Sequence, residues 1–234
     1  MQRVLFVTPH LAFGGAERVL ASLATALGAA GYAVDILSVT RRGHRDCFDE
    51  WFSATGATLT RAAPDKAADL LDQWPLAPLR ALVFLGQSPA IRLAPRLHAR
   101  RPGLRMVGFA FNPVDAVADL TRIRAHLAVT VAESLQAAAA LGPDARVALV
   151  PSGIDPDLVP QHPVRPESLW VDVGFIGRMD AIKNVQIMPR IAKLLPPDRF
   201  RFHLFGDGPQ RRRARLRAWL TCPQHDFRWH GRVS

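Results

Sequence analysis

The sequence predicts an α/β protein with a doubly wound, Rossmann-like first domain and an incomplete second domain of the same kind. Two observations carry this prediction. Short apolar, β-branched runs alternate with segments of helical periodicity, and a proline-rich stretch separates two such series. The composition, 49% hydrophobic and 21% charged, is that of an ordinary globular protein and excludes a disordered or fibrous chain.

The first series covers residues 1–150. The predicted strands lie at 3–8, 33–39, near 58, and at 81–85, 105–111, 127–131 and 146–150. Helices are predicted at 15–30 and from residues 65, 89 and 133, with a polar connection at 41–50. Because the strands are continuously apolar rather than alternating, we expect a parallel sheet covered by helices on both faces.

A hinge is predicted at 151–166, where five prolines fall within 16 residues. A second series follows at 167–234, with strands at 169–176, 201–205 and 226–230 and helices at 183–195 and 210–220. A doubly wound domain needs on the order of 100 residues to bury a core, so this domain is predicted to be partial.

The charge is strongly positive, at +10, and 27 of the 30 basic residues are arginine. From Pro166 onward the chain has 13 basic and 6 acidic residues, a net charge of +7. Such an excess favours anionic partners: phosphorylated ligands, nucleic acid or an acidic membrane. The arginine-rich helix lacks interleaved aromatic residues, so no nucleic acid is expected. Two cysteines, Cys47 and Cys222, are too few for a disulfide scaffold.

The first candidate site is the turn that follows the first strand, where Gly14 and Gly15 precede a helix and Glu17 lies in its first turn. Free N–H groups at a helix start favour an anion, usually a phosphate. The alternative is an ordinary strand-to-helix turn, in which Glu17 only complements the helix dipole. The G-x-G-x-x-G and P-loop patterns are absent. A phosphorylated dinucleotide is a distant alternative ligand, because Arg41 and Arg42 at the end of the second strand could bind its 2′-phosphate.

Two further loops end strands of the second series. Gly177 and Arg178 precede Lys183, and together the two cations suit a diphosphate; two solvated surface cations are the alternative. The second loop is 206–209, where Gly206, Asp207 and Gly208 precede a proline at a helix start. A tight turn explains this loop without any function.

The order of these motifs resembles the GT-B glycosyltransferases of family 4. The motifs are Gly-Gly-Ala-Glu-Arg-Val at 14–19, Val-Pro-Ser-Gly-Ile-Asp at 150–155, Gly177-Arg178 with Lys-Asn-Val at 183–185, and Gly-Asp-Gly-Pro at 206–209 with Gly231. The resemblance runs along the whole chain. It implies two Rossmann-like domains that face each other across a cleft, the acceptor mainly on the first and a nucleotide-sugar donor mainly on the second.

The resemblance also implies the roles of the residues. Arg178 and Lys183 match the catalytic pair that holds the donor diphosphate. The donor-binding positions are Gly14, Gly15, Ser152, Gly177, Gly206, Asp207 and Gly208. Glu17 and Asn112 are assigned to the acceptor side. Sugar transfer with retention of configuration is implied, without a metal or other cofactor, because fixed cations and helix ends neutralise the leaving diphosphate.

The chain departs from the family pattern in two places. No two of its four glutamates are eight residues apart, so the family's E-x₇-E motif is absent. A histidine often found near the end of the strand at 105–111 is also absent. The first departure predicts a C-terminally truncated and impaired enzyme.

The expected function is therefore transfer of a sugar from a nucleotide-sugar donor to a glycan or lipid acceptor, in bacterial cell-envelope or polysaccharide biosynthesis. The alternative is a non-catalytic remnant or binding module of the same fold. We expect a cytoplasmic protein. The alternative is a peripheral protein on the anionic inner face of the cell membrane.

Overall fold

A computed structural model describes residues 2–11, 14–40, 49–86, 89–111, 115–144, 146–153 and 168–233. The chain divides into two compact units, Met1–Pro156 and Asp157–Ser234. The predicted hinge falls mostly on residues 154–167, which lie outside the described residues. Among the described helices, none has both the length and the apolar character that a membrane span requires.

The first unit is built on a seven-stranded sheet in which every neighbouring pair is parallel. The strands follow the spatial order β3-β2-β1-β4-β5-β6-β7, in which the chain winds outward in both directions from β1. Their bounds are β1 Arg3–Thr8, β2 Ala33–Val39, β3 Thr58–Ala62, β4 Leu79–Leu85, β5 Arg105–Ala110, β6 Val129–Ala132 and β7 Val147–Leu149.

Helices cover both faces of this sheet. They are α1 Gly15–Ala29, α2 Asp49–Ala54, α3 Pro64–Gln73, α4 Ala94–Arg100, α5 Asp115–Arg122 and α6 Leu135–Leu141, with 3₁₀ helices at Pro89–Leu93 and Arg124–His126. Successive residues of β1 enter opposite cores: Leu5 and Val7 pack in one, and Val4 and Phe6 in the other. Burial on both faces explains the continuous apolar strands and confirms the predicted doubly wound α/β class.

Three helices of the first unit differ from the sequence prediction. No helix was predicted at α2, which begins at Asp49, within the connection predicted at 41–50. Residues 41–48 of that connection lie outside the described residues. The helix predicted from Pro89 starts as a 3₁₀ helix and becomes α-helical only at Ala94. The prediction also missed α5, a helix of eight residues that follows β5.

The second unit contains a three-stranded parallel sheet. Its strands are β8 Val171–Ile176, β9 Phe200–Phe205 and β10 Asp226–Gly231, in the order β10-β9-β8. A 3₁₀ helix at Val185–Ile187 leads into α7 Met188–Ala192, and α8 spans Arg211–Thr221. These elements share one core, with Phe202 and Leu204 of β9 at its centre.

The helix predicted at 183–195 is wrong in its first half. Residues 181–184 form a turn, and Asn184 adopts a left-handed backbone conformation with φ of 49°. Pro189 then stands in the first turn of α7, where its missing N–H costs no helical hydrogen bond. Lys183 therefore lies in a turn before the helix rather than opening it.

The face of this sheet opposite the shared core carries a polar ladder across all three strands. Asp172 Oδ1 lies 3.0 Å from His203 Nε2, and His203 Nδ1 lies 3.0 Å from His230 Nε2. The ring of His230 also stacks on Phe205 at 4.3 Å. These histidines are far apart in the sequence, and only the strand register brings them together.

Candidate functional site

In the second unit, the loops that follow β8 and β9 approach each other so closely that only glycine fits. Gly206 has a φ of 122°, and a Cβ there would overlap the carbonyl oxygen of Gly177. Gly208 has a φ of 153°, and its Cβ would lie 2.6 Å from the carbonyl oxygen of Met179. L-residues rarely adopt such angles, so both the backbone conformation and the space require glycine.

Backbone hydrogen bonds join these two loops into one layer. The N–H of Gly177 donates to Phe205 at 3.1 Å, and the N–H of Met179 donates to Asp207 at 2.9 Å. The N–H of Gln210, which precedes α8, donates to Met179 at 2.8 Å. The carboxyl ends of parallel strands are the usual ligand-binding edge of an α/β sheet. The structure thus places Gly177, Gly206 and Gly208 together at this edge.

Asp180 organises the two predicted cations. Its Oδ2 accepts a hydrogen bond from Arg178 Nε at 2.6 Å, and its Oδ1 accepts one from the backbone N–H of Lys183 at 2.9 Å. These contacts fix the turn from Arg178 to Lys183. The N–H of Lys183 is the main cause that lowers the pKa of Asp180; Arg178 lowers it further, while partial burial opposes both.

The cationic groups themselves face solvent. The Arg178 side chain is 61% exposed, and its Nε is engaged by Asp180. Its Nη groups have no hydrogen-bond partner among the described residues and can bind a ligand. Lys183 is exposed as well, and no carboxylate of the described residues lies within ion-pair distance of its Nζ. This loop can therefore offer a planar fork and a mobile point charge to an anion.

Asp207 borders a concave surface at the start of α8. Its Oδ1 accepts the N–H of Gly208 at 2.8 Å and lies 3.7 Å from Arg211 Nη1. The cavity has a volume of about 540 Å³ and is lined by Asp207, Gly208, Pro209, Arg211, Arg212 and Arg215. With three arginines and one aspartate, this lining is positively charged and suits an anionic ligand.

In the first unit, a buried carboxylate lies at the glycine-rich turn where we predicted an anion. Glu17 is buried, with 7% of its side chain exposed, and its Oε1 lies 2.9 Å from His10 Nδ1. A Cβ on Gly14 would overlap the Glu17 carboxylate, whereas nothing lies near a Cβ on Gly15. The start of α1 therefore already has an acidic side chain beside it, and a polar His10–Glu17 pair follows β1.

The two remaining predicted positions belong to the first unit. Ser152 follows β7, and its Oγ donates to Glu133 Oε1 at 2.5 Å. Asn112 lies outside the described residues, next to Phe111, whose ring stacks on Phe109 at 4.5 Å. Ser152 is exposed, so its hydroxyl can exchange Glu133 for another partner.

The structure thus groups the predicted residues in two sets. Gly14, Gly15 and Glu17 come together at the start of α1, and the other set stands at the ends of β8 and β9: Gly177, Arg178, Lys183, Gly206, Asp207 and Gly208. The sequence analysis missed Asp180 and His10. Asp180 could have been found, since aspartate is common in turns, where its side chain accepts a backbone N–H from a residue shortly after it. For His10 no local signal exists.

Comparison with known proteins gives a fold but no sequence family. No protein-family model matches the chain, and no curated protein matches it. The structure of HepE from Anabaena, solved with UDP, aligns over 100% of this chain and 70% of its own, with a TM-score of 0.73 and 14% identity.

Two other solved structures agree. A glycosyltransferase from Rickettsia africae aligns over 100% of this chain and 69% of its own, with a TM-score of 0.72 and 15% identity. The lipopolysaccharide outer core galactosyltransferase WaaB aligns over 100% and 69%, with a TM-score of 0.68 and 14% identity. Together with the parallel sheets described above, these similarities show that the chain has the Rossmann-like fold of the GT-B glycosyltransferases.

Proposed function

We propose that the chain is a retaining glycosyltransferase of family 4, which transfers a sugar from a nucleotide-sugar donor to a glycan or lipid acceptor of the cell envelope. The observation that carries the proposal is the loop from Arg178 to Lys183. There Asp180 holds the Arg178 side chain and the Lys183 backbone, and the two cations face solvent beside a glycine-lined strand edge.

The donor diphosphate would lie against this loop. As the bond from sugar to phosphate breaks, negative charge grows on the leaving diphosphate, and fixed positive groups stabilise that charge most. The Arg178 Nη groups would hold two phosphate oxygens, and Lys183 Nζ would follow the charge that develops. Because these side chains would neutralise the leaving diphosphate, breaking the bond from sugar to phosphate would require no divalent ion.

Close approach to the phosphates is the role we propose for the glycines of the second unit. Gly177, Gly206 and Gly208 place no side chain at this strand edge, so a phosphate can approach the backbone closely, and the cavity beside Asp207 would take the nucleoside. The solved complex of HepE contains UDP, and we propose a uridine nucleotide as the first donor to test.

The acceptor would contact the first unit. Glu17 and His10 form a buried polar pair whose histidine is 40% exposed, which suits a hydrogen bond to an acceptor hydroxyl. On the basis of the family resemblance, Asn112 remains a proposed acceptor contact, and Gly14, Gly15 and Ser152 remain proposed donor contacts. The lipopolysaccharide acceptor of WaaB supports an envelope glycan or lipid as the class of acceptor.

Isothermal titration of the protein with UDP, GDP and ADP tests the proposal. We expect binding of at least one nucleotide, weakened tenfold or more in Lys183→Ala and in Arg178→Ala and unchanged in Lys193→Ala, a matched lysine of the same unit. Absence of all nucleotide binding would overturn the proposal. Nucleotide binding without sugar transfer from the matching donor would support the alternative, a binding module of the same fold.

A further inference from the structure

Helix α8 buries its small side chains and exposes its large apolar ones. Ala214 and Ala218 face the core and are 0% and 3% exposed. In contrast, Trp219 is 70% exposed, Leu220 62% and Leu216 55%. A helix on the surface of a globular protein normally shows the opposite arrangement, with its leucines and aromatic residues toward the core. Such an outward apolar surface points to an external partner.

Three arginines share this exposed side of the helix. At 100° per residue, Arg212, Arg213 and Arg215 fall with the three apolar residues within an arc of about 160°. We call these six residues the outer face of α8: Arg212, Arg213, Arg215, Leu216, Trp219 and Leu220. The helix itself contains no acidic residue, and among the described residues only Arg211 of this helix has a carboxylate partner, Asp207.

The two kinds of side chain are sorted along the helix axis. The arginines occupy its first half, and Leu216, Trp219 and Leu220 occupy its second half. The same helical layer adds exposed Arg190 on α7 and, just beyond that helix, Lys193 and a Leu194 that is 84% exposed. The surface therefore combines basic and apolar side chains.

This combination selects one class of partner. Arginine binds phosphates with a planar fork, and tryptophan and leucine insert at the boundary between lipid headgroups and acyl chains. A second copy of the same face would bring like charges together, which opposes self-association. Single-stranded nucleic acid needs successive aromatic platforms, and this face has only Trp219.

We propose that the outer face of α8 binds an anionic lipid bilayer peripherally, with the arginines on lipid phosphates and Trp219 at the headgroup level. The proposal goes beyond the proposed sugar transfer and does not depend on it. Arg212 and Arg215 also line the cavity beside Asp207, so the face borders the proposed donor site, whereas Arg213, Leu216, Trp219 and Leu220 do not line that cavity.

Cosedimentation with lipid vesicles tests the proposal. The full chain is mixed with phosphatidylcholine vesicles and with vesicles that contain about one third phosphatidylglycerol. We expect binding to the anionic vesicles only, and weaker binding as salt increases. In a triple Arg212→Gln, Arg213→Gln, Arg215→Gln variant the affinity should fall on the order of 100-fold, since each basic residue near such a surface contributes about a factor of five.

A second triple variant controls for net charge. Arg80→Gln, Arg92→Gln and Arg105→Gln remove three exposed arginines of the first unit and should leave vesicle binding within about twofold. Equal losses in the two triples would overturn the proposal, because nonspecific charge would then explain the binding. Failure of the wild-type chain to bind anionic vesicles would overturn it too.

Fluorescence locates the contact. Brominated lipids should quench part of the tryptophan emission of the wild type, and this quenching should disappear in Trp219→Phe but persist in Trp74→Phe, whose tryptophan packs against the core of the first unit. Unchanged quenching in Trp219→Phe would overturn the proposal. So would concentration-dependent self-association in sedimentation velocity that Leu216→Ser abolishes, because the face would then bind a second copy.

Discussion

His10 Nδ1 and Glu17 Oε1 lie 2.9 Å apart, one just after the first strand and the other in the first turn of the first helix. The Glu17 carboxylate occupies the space that a side chain at position 14 would need. Gly14 therefore has a defined role: it leaves room for an acidic side chain that turns back toward the strand end.

A pair of alanine substitutions tests this role. Gly14→Ala should displace the Glu17 carboxylate and break its contact with His10, while Gly15→Ala meets no neighbouring atom. Because the displaced group is the end of a flexible side chain, we expect less than about 1 kcal/mol of destabilisation from either change. The KM for the acceptor should rise in Gly14→Ala and stay unchanged in Gly15→Ala. Identical acceptor kinetics in both variants would argue against a role for Glu17.

Gly206→Ala should destabilise the second unit. The new Cβ would overlap the backbone of Gly177, and a φ of 122° is unfavourable for alanine, so we expect a loss of at least about 1–3 kcal/mol. The matched control is Gly174→Ala in β8, where no atom lies within 4 Å of the added carbon. Urea unfolding compares the two variants. Equal midpoints would contradict the overlap between a Cβ at position 206 and the backbone of Gly177.

Acidification should remove the contribution of Asp180. Its pKa in the folded protein is lowered by the Lys183 N–H and by Arg178, so its charged form stabilises the fold above the ordinary pKa of about 3.9. That stabilisation is lost as the pH falls through the lowered pKa. Asp180→Asn keeps the oxygen acceptor without the charge, so its deficit relative to wild type should shrink between about pH 5 and pH 2.

Thermal unfolding across this range measures the effect. Asp198→Asn serves as the control, since Asp198 is exposed and has no side-chain hydrogen bond or ion pair among the described residues. A deficit in Asp180→Asn that stays constant with pH would show that the charge of Asp180 contributes nothing.

Lys183→Ala should reduce turnover about 100-fold or more, the usual effect of losing one preorganised charged group. Its stability should be unchanged, because Asp180 accepts the backbone N–H of residue 183 rather than the side chain. Lys193→Ala removes an equally exposed lysine from the same unit and should leave the rate unchanged. A near-normal rate in Lys183→Ala would show that Lys183 is a surface cation without a role in the reaction.

Much of the architecture could be predicted from local patterns. The continuous apolar runs of β1 and β2 and the glycines at strand ends are signals that lie within a few residues of the element they define. The helix predicted at 183–195 failed for an equally local reason. Its apolar periodicity continues through Asn184 and Pro189, but the backbone of Asn184 and the ring of Pro189 prevent a continuous helix.

The candidate site was predictable only in part. By itself, the sequence determined the parallel α/β class and the strand-end loops that carry Arg178, Lys183 and Gly206, since hydrophobic period and turn chemistry act over neighbouring residues. Tertiary structure alone decided that Gly206 meets Gly177, that Glu17 reaches His10, and that α8 turns its tryptophan outward. Those contacts depend on strand order, register and helix packing. The spacing of these residues along the chain follows no period, so the sequence does not show which of them meet.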